Sequence, residues 1–494
     1  MTFNHFAFYP FLAAVILVNY LLPVRARWAW LLLVSYGFYG FFDWRFLPVL
    51  LGMTLLSYLA GSRVAASADE RVKKRWMLAG VIGSLVILFC FRYLGFFFDS
   101  LNTALTALDF RWNIRNVEIF YPLGLSFFAL QALSYIWDVY EERTPAEPHF
   151  GYFALYMAFF PKLLSGPLER PARFLRQARE PKPFPDVEIN DHLLRIGWGL
   201  FKKIVIADRL AEVVDAVFAA PGDFPAPKLI AGVLAFAFQV YIDFSAYTDI
   251  ALAAAALLGF DLTQNFNRPY LATSVADFWR RWHISFSSWL RDYVFLPLEI
   301  KDRRRKPRAL WQNLHILITF LVSGLWHGAS WTFVIWGGLH GLYQVFEKFT
   351  QKARDRAAGL LRLGPESFVR RAWQVLITFC LVSLAWVFFK AASLAVALNM
   401  LRAIFTWQSG AAAGAWNFLD KSLGLDTPDF VMMAVTLVIF LVTEILRGSH
   451  DLPAVFKRLP LHVRWLIYYS LFFAITIFGY HGEVSGVDFV YFMF

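Results

Sequence analysis

Long apolar runs recur through the whole chain, and they constrain its fold more than any other feature. A helix needs about 20 mainly apolar residues to cross a bilayer, and roughly eleven runs approach that length. In hydrocarbon every backbone polar group must be bonded internally, so such a chain folds as a bundle of α-helices. We therefore predict an all-α polytopic membrane protein with about 11 transmembrane helices. The candidate spans centre near residues 5–23, 28–44, 46–61, 76–98, 119–138, 150–166, 229–258, 311–326, 330–347, 371–390 and 430–446, with a further one at 464–480.

Composition agrees with a membrane protein, because 59% of the residues are hydrophobic and only 17% are charged. The longest polar stretches are about 30 residues or shorter, which is too short for a soluble core. We therefore predict one membrane domain over residues 1–494, with N-terminal spans in 1–150, a functional middle region in 151–350 and C-terminal spans in 351–494. The net charge of +11 indicates contact with membrane lipid and no nucleic-acid partner, since no basic domain is present.

Basic residues mark the expected topology. They cluster after the first apolar run (Arg25 and Arg27), in 63–75 and in 301–308, and basic residues favour the cytoplasmic ends of spans. The N-terminus is then predicted on the periplasmic side. The first run lacks a small-residue cleavage site after it, so we expect it to remain as an anchor.

The middle of the chain, residues 161–310, alternates apolar pieces with Pro, Arg, Trp and Asn. Irregular backbone at membrane depth is tolerated only where it is buried in protein or lines a wet cavity. We therefore predict re-entrant segments around a central funnel. The piece at 193–220 has helical spacing and a cationic face, which predicts an interfacial helix.

Two histidines stand in tryptophan-rich apolar contexts. His327 follows Trp326 in the uncharged run 321–336, where an ionisable ring costs about 2 to 3 kcal/mol unless it faces a polar cavity. His283 follows Trp282 in the segment 277–293. Each alone could be structural, His283 in an aromatic belt and His327 bonded to a carbonyl. Together they predict a joint site.

Other polar residues in apolar runs allow two interpretations. Asp243 and Asp249 either form a structural hydrogen-bond network, with Arg268, Arg280 or Arg281 as partners, or have a direct catalytic role. His340, flanked by glycines, is predicted to face a carbonyl of a packed helix. The histidine spacings and the two cysteines, both in apolar runs, predict no metal site.

A neutral imidazole without a nearby nucleophilic serine or cysteine suits general-base catalysis. It can take the proton of an acceptor hydroxyl as the oxygen attacks a thioester carbonyl. The second histidine, or an Asn or Trp N–H, could then stabilise the oxyanion.

The chain resembles the membrane-bound O-acyltransferase family, in its bacterial polysaccharide O-acetylation branch. The resemblance implies a helical bundle around a funnel, with His327 as the catalytic histidine and His283 as the second signature residue. Further candidate substrate-binding or cavity residues within or beside these motifs are Trp326, Trp282, Ser323, Asp243, Ser245 and Asn267. The resemblance rests on Pro122–Phe128, Ser134–Tyr140, Phe160–Pro167, Asp243–Asp249, Asn265–Tyr270, Phe278–Ser285, Gly324–Gly328, Trp386–Lys390 and Phe489–Phe494.

The resemblance also implies an activity: an acyl group from a cytoplasmic thioester crosses the inner membrane and reaches an extracytoplasmic polysaccharide such as alginate, directly or through a periplasmic acetyltransferase partner. The implied donor substrate is acetyl-CoA, and no cofactor is expected to be bound permanently. One alternative is an acyl carrier protein as donor, with D-alanyl transfer to a cell-envelope polymer. The other is a polysaccharide or lipid transporter without turnover.

Overall fold

The computed structural model describes residues 3–110, 114, 120–184, 187–410, 412, 414–446, 452–479 and 489. Within these residues the secondary structure is entirely helical, which confirms the predicted all-α class. The last residues of the C-terminal motif, 490–494, lie outside the described part of the chain.

The chain divides into two compact units. The first unit comprises Met1–His192 with Ala251–Thr263, and the second comprises Leu193–Ile250 with Gln264–Phe494. Helix numbering below follows the chain, and α10 and α12 each contribute residues to both units. The helices up to α11 are α1 (Phe8–Leu21), α2 (Val24–Phe42), α3 (Leu47–Ala66), α4 (Glu70–Leu88), α5 (Leu94–Ala107), α6 (Leu125–Tyr140), α7 (Phe150–Ala158), α8 (Phe160–Leu163), α9 (Pro171–Arg179), α10 (Ile189–Leu200) and α11 (Asp208–Ala219). The others are α12 (Ala226–Leu257), α13 (Val275–Arg281), α14 (Ile284–Leu290), α15 (Leu296–Lys301), α16 (Arg308–His327), α17 (Trp331–Leu360), α18 (Phe368–Lys390), α19 (Leu394–Phe405), α20 (Thr427–Leu446), α21 (Leu452–Arg458) and α22 (Leu461–Phe478).

Seven helical stretches of the described chain are long and apolar enough to cross a membrane, so the protein is a multi-pass membrane protein. Two shorter apolar helices, α1 and α19, fall below that length. The total of about eleven spans stays a prediction. The seven are Trp44–Ala66, Glu70–Ala107, Ala226–Leu257, Arg308–His327, Phe368–Lys390, Thr427–Leu446 and Leu461–Phe478.

Three helical runs contain a π-helical segment, at Phe89–Tyr93, Phe201–Ala207 and Arg291–Phe295. Such segments are rare and occur frequently near functional sites. The segment at 201–207 joins α10 to α11 and carries Lys202 and Lys203, both almost fully buried. Lys202 and Lys203 therefore point into the protein, and an interfacial position for the piece stays a prediction.

Candidate active site

The two candidate histidines lie at the same end of one helical hairpin in the second unit. The first arm runs from His283 through α14, the π segment and α15, and the second arm is α16, which ends at His327. A loop of basic residues joins the arms at the other end. The arms meet near the histidines, where the rings of Phe286 and Trp326 stack with centroids 4.2 Å apart. Folding back of the chain thus brings together residues that are 44 positions apart in sequence.

His327 is held in place by a close crossing of α16 and α17. A Cβ added at Gly324 would lie 2.3 Å from the carbonyl oxygen of Phe333, and one added at Gly337 would lie 2.2 Å from that of Phe320. Only glycine permits backbones to approach so closely. This crossing places His327, one turn after Gly324, against α17, and leaves 4% of the residue exposed.

Aromatic rings from four helices surround the His327 imidazole. The ring centroids of Trp326 and Trp336 each lie 4.9 Å from it, that of Phe389 lies 5.4 Å away and that of Phe286 5.5 Å away. These helices are α16, α17, α18 and α14. The surroundings are therefore of low polarity, where electrostatic interactions with a bound substrate are stronger than in water.

His283 adopts a left-handed backbone conformation, with φ 44° and ψ 53°, directly before α14. Outside glycine this conformation costs about 1 to 3 kcal/mol, and such residues occur often at functional sites. Asn265 fixes the chain directly after His283: its carbonyl oxygen accepts from the Ile284 N–H at 2.9 Å, and its Oδ1 accepts from the Ser285 hydroxyl at 2.6 Å. The His283 side chain is fully buried.

Burial lowers the pKa of His283 to about 3. The ring is therefore neutral near physiological pH and can offer one N–H donor and one nitrogen acceptor.

The structure brings the two histidines into one aromatic cluster. The centroid of Phe286 lies 5.1 Å from that of His283 and 5.5 Å from that of His327. Trp326 likewise contacts both imidazoles, at 6.2 and 4.9 Å. The two histidines thus share two aromatic neighbours, while a joint site, a catalytic role for either residue and the funnel beside them stay predictions.

Asp243 belongs to an ion-pair network on another face of α12. Its Oδ1 lies 2.9 Å from Nζ of Lys203, which also lies 3.0 Å from a carboxylate oxygen of Asp208. Burial opposes the charge on Lys203, but the Coulomb attraction of the two carboxylates outweighs it and raises the pKa of the ammonium group. This arrangement favours the structural interpretation of Asp243.

Ser245 and Asp249 join the same network through Lys202. The Lys202 Nζ donates to the Ser245 hydroxyl at 2.8 Å and to Asp249 at 2.7 Å, and Arg195 donates to Asp249 at 2.8 Å. The expected partners of the aspartates are wrong in two cases, because Arg280 and Arg281 pair with Asp277 instead.

The network and the histidine cluster are neighbours along α12. Phe244, between Asp243 and Ser245, packs on His283 with the ring centroids 4.9 Å apart. The face of α12 that carries Phe244 supports the cluster, and the neighbouring face is fastened to Lys202 and Lys203.

Of the remaining predicted residues, Trp282 and Ser323 are buried and Asn267 is exposed. Trp282 is buried and packs on Phe266 at 5.1 Å and on Trp386 at 5.2 Å. Ser323 is fully buried one turn before His327, on the same face of α16. Asn267 is exposed, and its backbone N–H donates to the Arg281 carbonyl at 2.9 Å.

Two residues beside the cluster were not predicted in their observed roles. Asn265 is buried, whereas the named candidate Asn267 is exposed, and the two share the segment that pairs with the chain around His283. The His340 Nδ1 accepts a hydrogen bond from the indole N–H of Trp279 at 3.2 Å. The partner of this nitrogen is therefore a tryptophan side chain, and the predicted backbone carbonyl is wrong for Nδ1. His340 also packs on Trp336, at 4.9 Å between centroids, which adds a third imidazole to the cluster.

Among the described residues, no three His, Cys, Asp or Glu side chains are placed together so that they could hold a metal ion. The polar groups of the aromatic cluster are imidazole and indole rings. Such groups can accept a proton and donate hydrogen bonds to a developing negative charge.

Comparison with known proteins identifies several relatives. Residues 126–394 match the model of the MBOAT, membrane-bound O-acyltransferase, family. The chain is 35% identical to "Probable alginate O-acetylase AlgI" of Pseudomonas putida over 458 residues, which cover 92% of this chain and 89% of the relative. It is 32% identical to a peptidoglycan O-acetyltransferase of Helicobacter pylori, covering 80% of this chain and 77% of the relative. A teichoic acid D-alanyltransferase of Streptococcus thermophilus is 30% identical over 54% of this chain and 68% of the relative.

Proposed function

Because the chain belongs to the membrane-bound O-acyltransferase family and is an O-acyltransferase, we propose that it moves an acetyl group from a cytoplasmic thioester across the membrane to an extracytoplasmic polysaccharide. The proposed donor is acetyl-CoA. The acceptor is an alginate-like polymer, reached directly or through a periplasmic acetyltransferase partner. The proposed location is the bacterial inner membrane, with the N-terminus in the periplasm.

Relatives of two kinds support acetyl as the transferred group. Alginate O-acetylases match at up to 37% identity, and the peptidoglycan O-acetyltransferase matches over most of both chains. Their polymers differ, but both names state O-acetyl transfer. The D-alanyltransferase matches a smaller part of this chain, 54%, which makes D-alanyl transfer the second candidate.

The placement of His327 is the observation that carries the proposal. It is a buried imidazole at the end of α16, in one aromatic cluster with His283. An ionisable ring in such a place is costly unless it has a function or a specific partner. The family match gives the reaction class, and this imidazole is the group best placed to serve as its base.

In the proposed reaction, a nitrogen of His327 takes the proton of the acceptor hydroxyl while the hydroxyl oxygen attacks the thioester carbonyl. An N–H of His283 or of a tryptophan indole in the cluster donates to the resulting oxyanion. Collapse of the intermediate breaks the carbon–sulfur bond, and the leaving thiolate receives the proton from His327. The products are the O-acyl ester and a free thiol, so the step needs no metal, oxidant or reductant.

The length of α16 limits how the donor can reach His327. The helix spans 20 residues from Arg308 to His327, which corresponds to about 30 Å, the thickness of the hydrocarbon core. With the basic loop on the cytoplasmic side, His327 lies near the outer side. The acyl group must therefore travel most of the membrane thickness before the acceptor attacks it.

The test is a turnover assay of the purified protein in proteoliposomes, with acetyl-CoA supplied on the side of the basic loop and a soluble uronate oligosaccharide on the other. The proposal expects free CoA and O-acetylated oligosaccharide in equal amounts. If acetyl-CoA and acetylated carrier protein both remain intact under all conditions, transferase function as proposed here is wrong. Consumption of a D-alanyl carrier thioester alone would favour the second candidate, and passage of oligosaccharide without thioester consumption would favour a transporter.

A further inference from the structure

A second histidine of α16, His315, is held between two carboxylates of the first hairpin arm. Its Nδ1 lies 2.8 Å from Oε1 of Glu299, and its Nε2 lies 3.1 Å from Oδ2 of Asp302. The His315 side chain is only 2% exposed. Each ring nitrogen therefore has a carboxylate oxygen within hydrogen-bond distance, and His315 links α16 to two residues of the first arm.

The neighbouring groups of the hairpin complete this charge arrangement. Arg305 Nε lies 3.0 Å from Oδ1 of Asp302, and its guanidinium carbon lies 4.5 Å from the ring centroid of Trp311. Gln312 Nε2 lies 3.4 Å from Oε2 of Glu299. Each carboxylate thus contacts the imidazole and has one further partner, the Arg305 guanidinium for Asp302 and the Gln312 amide for Glu299.

Two charged residues of α17, which packs on α16, contact other groups. Lys348 donates to the Asn313 side chain at 3.4 Å, and Glu347 accepts from the Val275 N–H at 2.8 Å. Neither contact involves Glu299, His315 or Asp302.

These contacts fasten one specific part of the molecule. Glu299 lies in α15 and Asp302 directly follows it, while His315 is about two turns inside α16. The segment between them contains the basic loop, residues 301–308, in which Arg303 and Arg304 are exposed. An unfastened loop of this length would sample many positions, and fixing it concentrates its positive charge at one place.

We propose that Glu299, His315 and Asp302 form a charge clamp that positions the basic loop for capture of an anionic acyl donor, which makes His315 a positioning residue. The proposal rests on the proposed function, because it assigns donor capture to this loop. The clamp is at the closed end of the hairpin, remote from His327 and His283. Loss of the clamp should therefore weaken donor capture and leave the chemical step nearly unchanged.

The experiment compares the wild type with His315→Gln and with the double variant His315→Gln/Glu299→Gln, purified in detergent. Limited trypsin digestion measures how accessible the loop is, and initial rates with acetyl-CoA give KM and kcat. For His315→Gln we expect loop cleavage and donor KM each to rise about fivefold, with kcat changed less than about twofold. The double variant also removes one of the two carboxylates that the single variant leaves without the imidazole, and it should recover at least half of both effects, since a lone buried charge costs more than a missing pair.

Asn313→Ala is the matched control, because it removes the contact with Lys348 two positions before His315 and leaves the clamp intact. It should behave as the wild type in both measurements. Unchanged loop cleavage in His315→Gln, or a fall in kcat at constant KM, would overturn the clamp proposal. If the wild type itself shows no turnover, the proposed function fails, while the cleavage comparison still decides whether His315 holds the loop. Should His315→Gln fail to fold, Glu299→Gln, which removes one clamp partner, replaces it.

Discussion

At the residue scale, His327 and His283 differ in environment although they share a cluster. His327 ends a long helix and contacts four aromatic rings, whereas His283 precedes a short helix in a left-handed conformation. The strained backbone of His283 is fixed by Asn265, so its imidazole is positioned by hydrogen bonds to the main chain. These differences predict unequal effects on turnover.

Replacement of His327 by alanine removes the proposed proton acceptor and should lower kcat about 10²- to 10⁴-fold. His283→Asn keeps a hydrogen-bonding group and should retain more activity. Donor KM should change little in both variants, because neither ring is assigned to hold the donor. The measurement is acyl transfer by purified, correctly folded variants, and near-normal turnover of His327→Ala would refute its role as the base.

The pH dependence provides a separate test of His283. Because burial lowers its pKa to about 3, His283 stays neutral from pH 5 to 9 and should not contribute to the pH–rate profile there. His283→Asn should therefore shift the midpoints of that profile by less than about 0.3 units. In the unfolded chain His283 has the ordinary histidine pKa of about 6.5, so below that pH the unfolded chain binds a proton that the folded protein does not. His283 therefore lowers the stability of the fold as the pH falls below about 6.5. His283→Asn should accordingly lose less thermal stability than the wild type between pH 7 and pH 5.

At the element scale, the crossing of α16 and α17 depends on two glycines that allow backbone contact. The carbonyl oxygens of Phe333 and Phe320 occupy the space that a Cβ at either position would need. Because a backbone atom cannot move aside as a flexible side chain can, a methyl group there must separate the helices and carry His327 away from Trp336.

Gly337→Ala is therefore expected to destabilise the protein by about 1 to 3 kcal/mol and to lower turnover. Gly338→Ala is the matched control, since a Cβ at Gly338 would meet its nearest neighbour, a methyl of Leu321, at the ordinary distance of 3.6 Å. Thermal unfolding in detergent and kcat should change in the first variant and stay near wild type in the second. Equal stability of the two variants would show that the crossing relaxes without cost.

Buried ion pairs also hold α12 against the π segment at 201–207. Lys203→Met leaves Asp243 and Asp208 facing each other without the ammonium group, so the expected loss of stability is about 3 to 5 kcal/mol. Asp261→Asn breaks the pair of Lys182 with Asp261, whose side chains are both exposed, and should have little effect. Unfolding temperature and yield of folded protein distinguish the two, and a stable Lys203→Met protein would show that the network contributes little.

At the scale of the whole molecule, hydropathy was sufficient to predict an all-α membrane protein, because spanning helices follow from apolar length alone. The histidine pair was also predictable, since each ring stands out against an apolar sequence. The partners of Asp243 and Asp249 were not, because they depend on which face of α12 meets residues about 40 positions earlier. The sequence also did not show that Asn265, and not Asn267, is the buried asparagine beside His283, because that depends on the backbone hydrogen bonds around His283.

The basic loop gives the prediction at this scale. Replacement of Arg303, Arg304 and Arg305 by Gln should raise donor KM, and the increase should shrink as salt rises from low to about 0.5 M, because screening weakens long-range attraction in the wild type as well. The kcat should be unaffected, because the loop lies at the other end of α16 from His327. Unchanged KM at low salt with normal membrane insertion would leave the loop with a topological role alone.

The hairpin places the proposed reaction site at one end and the proposed donor-capturing loop at the other. Residues at its open end, near His283 and His327, are packed on four helices and tolerate little change, whereas the loop at its closed end is exposed over most of its length. Mutations in the loop can accumulate without disturbing the imidazoles. Evolution could therefore exchange one acyl donor for another at the loop while the reaction itself is inherited unaltered, and a grafted loop is the corresponding route for redesign.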